Sequence, residues 1–214
     1  MTAKPASVYL VDDDPLFLDA AARTLRVADL KVLPFRSPKG FLDAYDCSQP
    51  GCLVTDVCMP ELSGLELVLH LRRSPCPIPI IVVTGHGDVP MAVTALKNGA
   101  VEFLEKPFTA QTLIESVRAA LTIDHRQRER VGELSLLEQR YATLTLRERE
   151  VFERLITDEP SKRIAWGLQI SPRTLEHHRE HVLTKMHARS LRDLLVMALL
   201  LGRYEPRVPQ EPFQ

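Results

Sequence analysis

Short apolar runs alternate with amphipathic stretches through residues 1–122 of the 214-residue chain. The apolar runs predict strands at 8–11, 30–35, 52–56, 80–84 and 101–105. Between and after them, apolar residues recur at i, i+3 and i+4, which predicts helices near 15–28, 37–45, 63–73, 89–98 and 109–122. Five βα units in succession predict an α/β fold, a doubly wound five-stranded parallel sheet with helices on both faces.

Polar residues stand where four of these apolar runs end. The first run leads into Asp12 and Asp13, the third into Asp56, the fourth into Thr84 and the fifth into Lys106. Because the carboxyl ends of parallel strands share the sheet edge where ligands bind in open α/β folds, we expect these side chains to converge. The sequence therefore predicts three carboxylates, a hydroxyl and an ammonium at one site.

A different pattern begins at residue 123. Val131, Leu134, Leu137, Tyr141 and Leu144 recur at intervals of three or four residues, which predicts an amphipathic helical linker over 123–142. The linker separates the predicted sheet domain from the remainder of the chain.

The C-terminal part predicts an all-α domain over 143–205. Four short helices are expected near 147–156, 161–168, 172–187 and 190–201. Ser171 followed by Pro172 is an N-cap followed by an N1 proline, so a helix should begin there. A short helix, a tight turn and a longer basic helix form the helix-turn-helix arrangement, whose second helix enters the DNA major groove.

Composition and charge narrow the possible functions. A chain with 45% hydrophobic residues has enough apolar side chains for two ordinary cores. No apolar run reaches the about 18 residues of a membrane span, and the N-terminus lacks the apolar core of a signal peptide, so we expect a cytoplasmic protein without membrane contact. Residues 161–192 are basic, which is compatible with a footprint on the DNA phosphate backbone. The four cysteines form no CxxC pair and are expected to be reduced: Cys47, Cys52, Cys58 and Cys76.

The polar strand ends and their neighbours resemble the signature of receiver domains of two-component response regulators. The resemblance covers about residues 6–122, and the segment from Gly85 to Val93 is similar to the FixJ subgroup. It rests on Asp12 and Asp13, on Asp56 with Met59, Pro60 and Gly64, on Thr84 with Gly85, His86 and Gly87, and on Lys106 with Pro107 and Phe108.

The resemblance implies a role for each residue at the sheet edge. Asp56 is the expected phosphoacceptor, with Thr84 and Lys106 contacting the phosphoryl oxygens. Thr84 and Phe103 are the expected switch residues, and the Lys106–Pro107 peptide bond is expected to be cis. Magnesium prefers few carboxylates, retained waters and a phosphate, and its expected ligands are Asp12, Asp13, Asp56 and the backbone carbonyl of Cys58.

The C-terminal domain resembles the LuxR/FixJ type of DNA-binding domain over about residues 142–203. The matching elements include Leu144 and Thr145, the segment Arg147–Val151, Ile164 and Ala165, and the segment Ile170–Leu175. The resemblance implies contacts with the backbone or grooves of double-stranded DNA. The expected DNA-binding residues are Lys162, Arg173, Thr174, His177, His178, Arg179, His181 and Lys185.

Together these features predict a transcriptional response regulator that is not an enzyme beyond self-catalysed phosphotransfer and autodephosphorylation. Its expected partners are a sensor histidine kinase, promoter DNA, RNA polymerase and, on phosphorylation, a second copy of the chain. The expected domains are 1–122, 123–142 and 143–205, followed by a flexible tail at 206–214. Two alternatives stay open: a regulator that acts by protein contact without phosphorylation, and an aspartyl-phosphate phosphatase.

Overall fold

The structure is a computed structural model that describes residues 5–74, 77–85, 89–157 and 159–204. The chain divides into two compact units, one up to Arg128 and one from Glu129 onward. The predicted domain boundaries at 122 and 142 stay predictions, and the predicted tail at 206–214 lies outside the described residues.

The first unit is built on a five-stranded parallel sheet with strand order β2-β1-β3-β4-β5. This is a doubly wound order, in which the direction of strand addition reverses between β1 and β3. The predicted fold class is confirmed. In chain order the elements are β1 (Ser7–Val11), α1 (Pro15–Val27), β2 (Lys31–Phe35), α2 (Pro38–Ala44), β3 (Gly51–Asp56), α3 (Gly64–Arg72), β4 (Ile80–Thr84), α4 (Val89–Lys97), β5 (Glu102–Glu105) and α5 (Ala110–Ala142).

Successive residues of β1 supply the cores on the two faces of the sheet. Val8 and Leu10 pack in a cluster with α1 and α5, whereas Tyr9 and Val11 pack in a cluster with α2, α3 and α4. Alternation of this kind follows from the two-residue period of a strand. Because both faces are covered, the strand is apolar from Val8 to Val11, and polar residues stand only at its ends.

Capping residues stand at several helix ends of the first unit. Ser63 and Glu66 form a reciprocal capping box at the start of α3. The Thr109 hydroxyl accepts a hydrogen bond from the Thr112 amide at 3.1 Å, and Gly99 adopts a positive φ of 102° after α4. Ser63, Thr109 and Gly99 therefore define the start of α3, the start of α5 and the end of α4.

The start of β3 is held by two residues of α5, Asp124 and Arg128, which we call the Asp124–Arg128 anchor. The Gly51 amide donates to Asp124 Oδ2 at 2.9 Å, and Arg128 Nε donates to the same carboxylate at 2.9 Å. The Arg128 guanidinium also donates to the three carbonyls of residues 47–49. The sequence analysis assigned both residues to the linker, but their contacts place them in the first unit.

The second unit has its own core. It contains α6 (Leu146–Leu155), α7 (Ser161–Gly167), α8 (Pro172–Met186) and α9 (Leu191–Leu200). Its most buried residues include Phe152, Val182 and Leu194. The Ser171 side chain accepts from the Thr174 amide at 3.0 Å, which confirms the predicted N-cap of α8. The helix-turn-helix consists of α7, the turn at 168–171 and α8.

The predicted linker helix is the continuation of α5, because the helix extends from Ala110 to Ala142. Only part of the predicted apolar stripe is buried. Leu137, Tyr141 and Leu144 belong to the core of the second unit, whereas Val131 and Leu134 are 69% and 37% exposed. The amphipathic helix predicted over 123–142 is present as the end of α5, and the core of the second unit reaches only its last turns.

Candidate functional site

Asp12 and Asp56 lie at the point where the strand order of the sheet reverses. Asp12 directly follows β1 and Asp56 is the last residue of the adjacent β3. In this class of sheet the reversal leaves a crevice at the carboxyl ends of the strands, where ligands bind. Gly64 begins α3 against this strand end, and a Cβ there would lie 2.0 Å from the Asp56 carbonyl oxygen. The lack of a side chain at Gly64 is therefore what lets α3 start so close to Asp56.

Lys106 joins the two carboxylates. Its Nζ lies 2.8 Å from Asp12 Oδ2 and 3.0 Å from Asp56 Oδ1. The carboxylate side chains are only 2% and 8% exposed, while that of Lys106 is 23% exposed. Two buried anions thus share one ammonium that remains in contact with water, which is the arrangement by which a buried charge is tolerated.

Burial and pairing act against each other on the pKa values of this cluster. Burial raises the pKa of Asp12, and the hydrogen bonds from Lys106 and from the Asp14 amide offset only part of this effect. Burial disfavours the charged form of Lys106, but the hydrogen bonds and charges of Asp12 and Asp56 outweigh it and raise the pKa of Lys106. The ammonium is therefore a fixed positive charge at the sheet edge at neutral pH.

The remaining predicted magnesium ligands flank this pair. The Cys58 amide donates to Asp56 Oδ2 at 2.6 Å, and the side chain of Asp13 is exposed. Across the described residues no group of three or more His, Cys, Asp or Glu side chains is already arranged around a metal position. The donors nevertheless suit Mg²⁺ chemically, because they are carboxylate oxygens at an open sheet edge. The predicted ligand set stays a prediction.

Thr84 lies on β4, which pairs with β3, and Phe103 lies on the edge strand β5, which pairs with β4. Thr84 ends β4, is fully buried, and accepts a hydrogen bond at its carbonyl oxygen from the Lys106 amide at 2.8 Å. Phe103 pairs with Val82 in the sheet register and is half-buried in the cluster that includes α4. The Lys106–Pro107 bond is cis, as predicted. His86 and Gly87, which belong to the matched signature, lie outside the described residues.

Phe17 belongs to this site although the sequence analysis did not select it. Lys106 Nζ lies 3.6 Å from the centroid of its ring, and an ammonium over an aromatic face is attracted by the ring quadrupole. Phe17 also packs edge-on against Phe108. The available signal was its position in the first turn of the helix that follows Asp12 and Asp13, but an aromatic residue there is equally compatible with core packing.

The predicted DNA-binding residues divide into exposed and half-buried groups. His178 is half-buried, and its Nδ1 is buried without a hydrogen-bond partner. Arg179 is also half-buried and pairs with Glu176 at 3.4 Å. The predicted reading face therefore consists of exposed residues at the start and middle of α8, together with one cation on α7. The exposed group consists of Lys162, Arg173, Thr174, His177 and His181.

Lys185 is engaged inside the second unit. Its Nζ lies 2.6 Å from Glu148 Oε2, and Glu148 is 3% exposed. Burial by itself raises the pKa of Glu148, but hydrogen bonds from Lys185 and from the Thr145 cap outweigh it and lower the pKa to about 2. Glu148 was not predicted to neutralise a cation, although Thr145 and Glu148 have the spacing of a capping box. Lys185 thus has a structural partner that competes with its predicted role on DNA.

Comparison with known proteins assigns both parts of the chain. Residues 8–118 match the family described as response regulator receiver domain, and residues 142–198 match the bacterial regulatory proteins of the luxR family. The transcriptional regulatory protein FixJ of Azorhizobium caulinodans is 45% identical over 195 residues, covering 91% of this chain and 92% of that protein. The response regulator protein TodT of Pseudomonas putida is 38% identical, covering 91% and 86%.

Solved structures agree with this assignment. The response regulator StyR superposes with a TM-score of 0.81 at 36% identity, covering 94% of this chain and all of that one. Full-length FixJ from B. japonicum gives a TM-score of 0.56 at 38% identity, covering 94% and 98%. Among the described residues no helix is long and apolar enough to cross a membrane. The chain belongs to the two-component response regulators that join a receiver domain to a LuxR-type DNA-binding domain.

Proposed function

We propose that this regulator is switched by phosphorylation of Asp56 by a sensor histidine kinase, and that the phosphorylated form binds promoter DNA as a dimer. The observation that carries the proposal is the joining of Asp12 and Asp56 by Lys106 at the strand reversal. A nucleophilic carboxylate, a second carboxylate and a fixed ammonium are the groups that phosphoryl transfer to an aspartate requires.

In the proposed reaction a carboxylate oxygen of Asp56 attacks the phosphorus of a phosphohistidine. The new O–P bond forms as the P–N bond breaks, and the imidazole nitrogen leaves with the electron pair and takes up a proton. Lys106 then neutralises an oxygen of the phosphoryl group, because its ammonium already lies 3.0 Å from Asp56 Oδ1. Cys58 supports the same carboxylate through its backbone amide.

Receiver domains use Mg²⁺ at the phosphorylation site, and in this chain Asp12, Asp13, Asp56 and the Cys58 carbonyl would hold it. When bound, the ion supplies positive charge against the equatorial oxygens of the phosphoryl group. Asp13 is suited to recruit a hydrated cation because its side chain is exposed, whereas Asp12 is buried beside Lys106.

Phosphorylation changes the surroundings of Thr84 and Phe103 in the proposed switch. The Thr84 hydroxyl moves to donate to a phosphoryl oxygen, and the half-buried Phe103 ring turns inward as space opens beside it. Both residues adjoin α4, so the change alters the surface between α4 and α5 and favours a receiver dimer. Two receivers brought together present two α8 helices for DNA half-sites about one helical turn apart.

Exposed residues of α7 and α8 support DNA binding by the second unit. Lys162 and Arg173 are cations free to contact phosphates, while Thr174, His177 and His181 lie on the exposed side of α8. Phosphate contacts set the register on the duplex and base contacts carry the sequence preference. We further propose that the DNA-bound dimer acts on RNA polymerase.

Phosphorylation is tested with acetyl phosphate and Mg²⁺ on the full-length chain. Mass spectrometry should show one added phosphoryl group, which is lost in Asp56→Asn and retained in Asp43→Asn, an exposed residue of α2. BeF₃⁻ with Mg²⁺, which imitates the acyl phosphate, should bind with the same dependence on Asp56. A chain that accepts neither reagent would favour the regulator that acts by protein contact without phosphorylation.

The output is tested by sedimentation and DNA footprinting on the same samples. The phosphorylated chain should sediment as a dimer and protect promoter DNA at lower concentration than the unphosphorylated chain. Equal oligomeric state and equal DNA affinity with and without acetyl phosphate would contradict the switch. Efficient turnover of small phosphoesters would instead point to a phosphatase.

A further inference from the structure

Two histidines of α8 lie one helical turn apart on its exposed side. The rings of His177 and His181 have centroids 4.2 Å apart, and both side chains are exposed. Residues at i and i+4 of a helix lie on the same side, so the two rings are neighbours on the exposed side of α8. Imidazole pairs at this spacing are a recurrent way for a helix to bind a metal ion with two side chains.

The Glu148 carboxylate lies beside one of these rings. His181 Nδ1 lies 3.6 Å from Glu148 Oε1, and the Glu148 carboxylate is buried and already paired with Lys185. A carboxylate that faces Nδ1 favours the tautomer with the proton on that nitrogen, which leaves the lone pair of Nε2 directed away from the carboxylate. Metal-binding histidines commonly have this arrangement, in which a carboxylate accepts from one ring nitrogen while the other ring nitrogen binds the metal.

We propose that His177 and His181 form a two-imidazole site for a divalent transition-metal ion of the Cu²⁺ or Ni²⁺ type. Imidazole suits these ions, and their square or tetragonal geometry accepts two adjacent nitrogen ligands with water at the other positions. Two protein ligands are the full set, because across the described ranges no three His, Cys, Asp or Glu side chains converge on one metal position. The site stands independently of phosphorylation.

The other histidines of this unit do not join the pair. His178 is half-buried with its Nδ1 inside the protein. His187 is exposed but follows the end of α8 in a left-handed conformation, so it serves as a matched control. A metal ion on His177 and His181 would cover part of the reading face, so the metal and DNA would compete for α8. This consequence rests on the proposed function.

The test uses the untagged full-length chain titrated with Cu²⁺ in the presence of glycine as a competing chelator. Pulsed electron paramagnetic resonance should show one protein-bound ion per chain with imidazole ligands, which glycine does not supply, and either His177→Ala or His181→Ala should abolish this imidazole signal. His187→Ala should keep it. Glu148→Gln retains a capping residue but weakens the support of His181, and should lower the affinity about 10-fold or more.

Because both histidines are exposed, the alanine variants should keep the helical circular dichroism of the parent chain. Unchanged stoichiometry and affinity in the folded double variant His177→Ala/His181→Ala would overturn the proposal, as would a signal that depends on His187. DNA binding is measured separately with and without Cu²⁺. Loss of DNA competition would contradict the proposed reading face while leaving the metal site intact.

Discussion

Substituting Lys185 by methionine separates a structural role from a DNA-binding role. The change keeps the aliphatic stem of the side chain and removes the ammonium that lies 2.6 Å from Glu148. Glu148 then remains buried with its backbone cap but without a cation. We expect the second unit to lose stability, because a buried carboxylate without its partner is costly.

The size of the loss follows from the pKa of Glu148. The folded-state pKa is about 2, against an ordinary value of 4.5. At about 1.4 kcal/mol per unit of pKa, the interactions of the Glu148 carboxylate contribute at most about 3 kcal/mol to the free energy of unfolding. Lys185 is one of several contributors and is 35% exposed, so water screens the pair. We therefore expect Lys185→Met to lower the free energy of unfolding of this unit by about 1–2 kcal/mol.

The measurement is hydrogen exchange of α6 and α8 amides in the full-length chain at neutral pH, which reports the opening free energy of this unit by itself. Lys162→Met is the control, since Lys162 is exposed on α7 and should leave exchange unchanged. DNA affinity of the folded Lys185→Met chain should stay within about threefold of the parent, a change of under about 0.7 kcal/mol. Unchanged exchange combined with a large loss of DNA affinity would refute the structural role.

The same pair predicts how acid affects this unit. The pKa of Glu148 is depressed on folding, so its contribution is fully present above about 4.5 and is lost as the pH falls toward about 2. In Lys185→Met the folded pKa should rise toward the ordinary value, and this part of the acid dependence should shrink. An acid unfolding profile identical to that of the parent chain would contradict the assignment.

Three further changes test other parts of the molecule. Gly64→Ala places a Cβ 2.0 Å from the Asp56 carbonyl oxygen, so it should lower the free energy of unfolding by about 1–3 kcal/mol and slow phosphorylation. Gly132→Ala is the control, because Gly132 has open space around it and the change should be neutral or stabilising. Lys106→Met leaves Asp12 and Asp56 adjacent without a cation and should raise the pKa of Asp12 further, visible by carboxyl NMR, while phosphotransfer from acetyl phosphate falls. Arg173→Ala should reduce the slope of log affinity against log salt by about 1 if this cation contacts a phosphate; an unchanged slope would remove it from the interface.

The sequence predicted the elements well because their signals are local. Each apolar run that ends in Asp12, Asp56 or Thr84 is a strand, and the parallel order then brings those ends to one edge without further information. Ser171 and Pro172 likewise define the start of α8 through capping alone. Hydrophobic periodicity and capping residues therefore predict the helices and strands and the sheet edge at which the strands end.

Contacts between distant residues could not be predicted in the same way. Lys185 reads as one more cation on a basic helix, and only the packing of α8 on α6 shows that it neutralises Glu148. Phe17 reads as a core aromatic until Lys106 is placed over its ring. Val131 and Leu134 follow a helical stripe, but the core that would cover them ends at Leu137. In each case the periodicity of one helix carries no information about which distant residues lie against its side chains.

The Asp124–Arg128 anchor determines where the receiver can be excised as a fragment. The family match ends at residue 118, yet the carboxylate that accepts from the Gly51 amide and the guanidinium that binds the carbonyls of 47–49 both lie beyond it. A fragment cut at 118 would lose both the carboxylate that binds the Gly51 amide and the guanidinium that binds these carbonyls, at the entry to the strand that carries Asp56. A fragment that extends a turn past Arg128 keeps that entry closed, so the useful limit of the receiver is set by this anchor and not by sequence similarity.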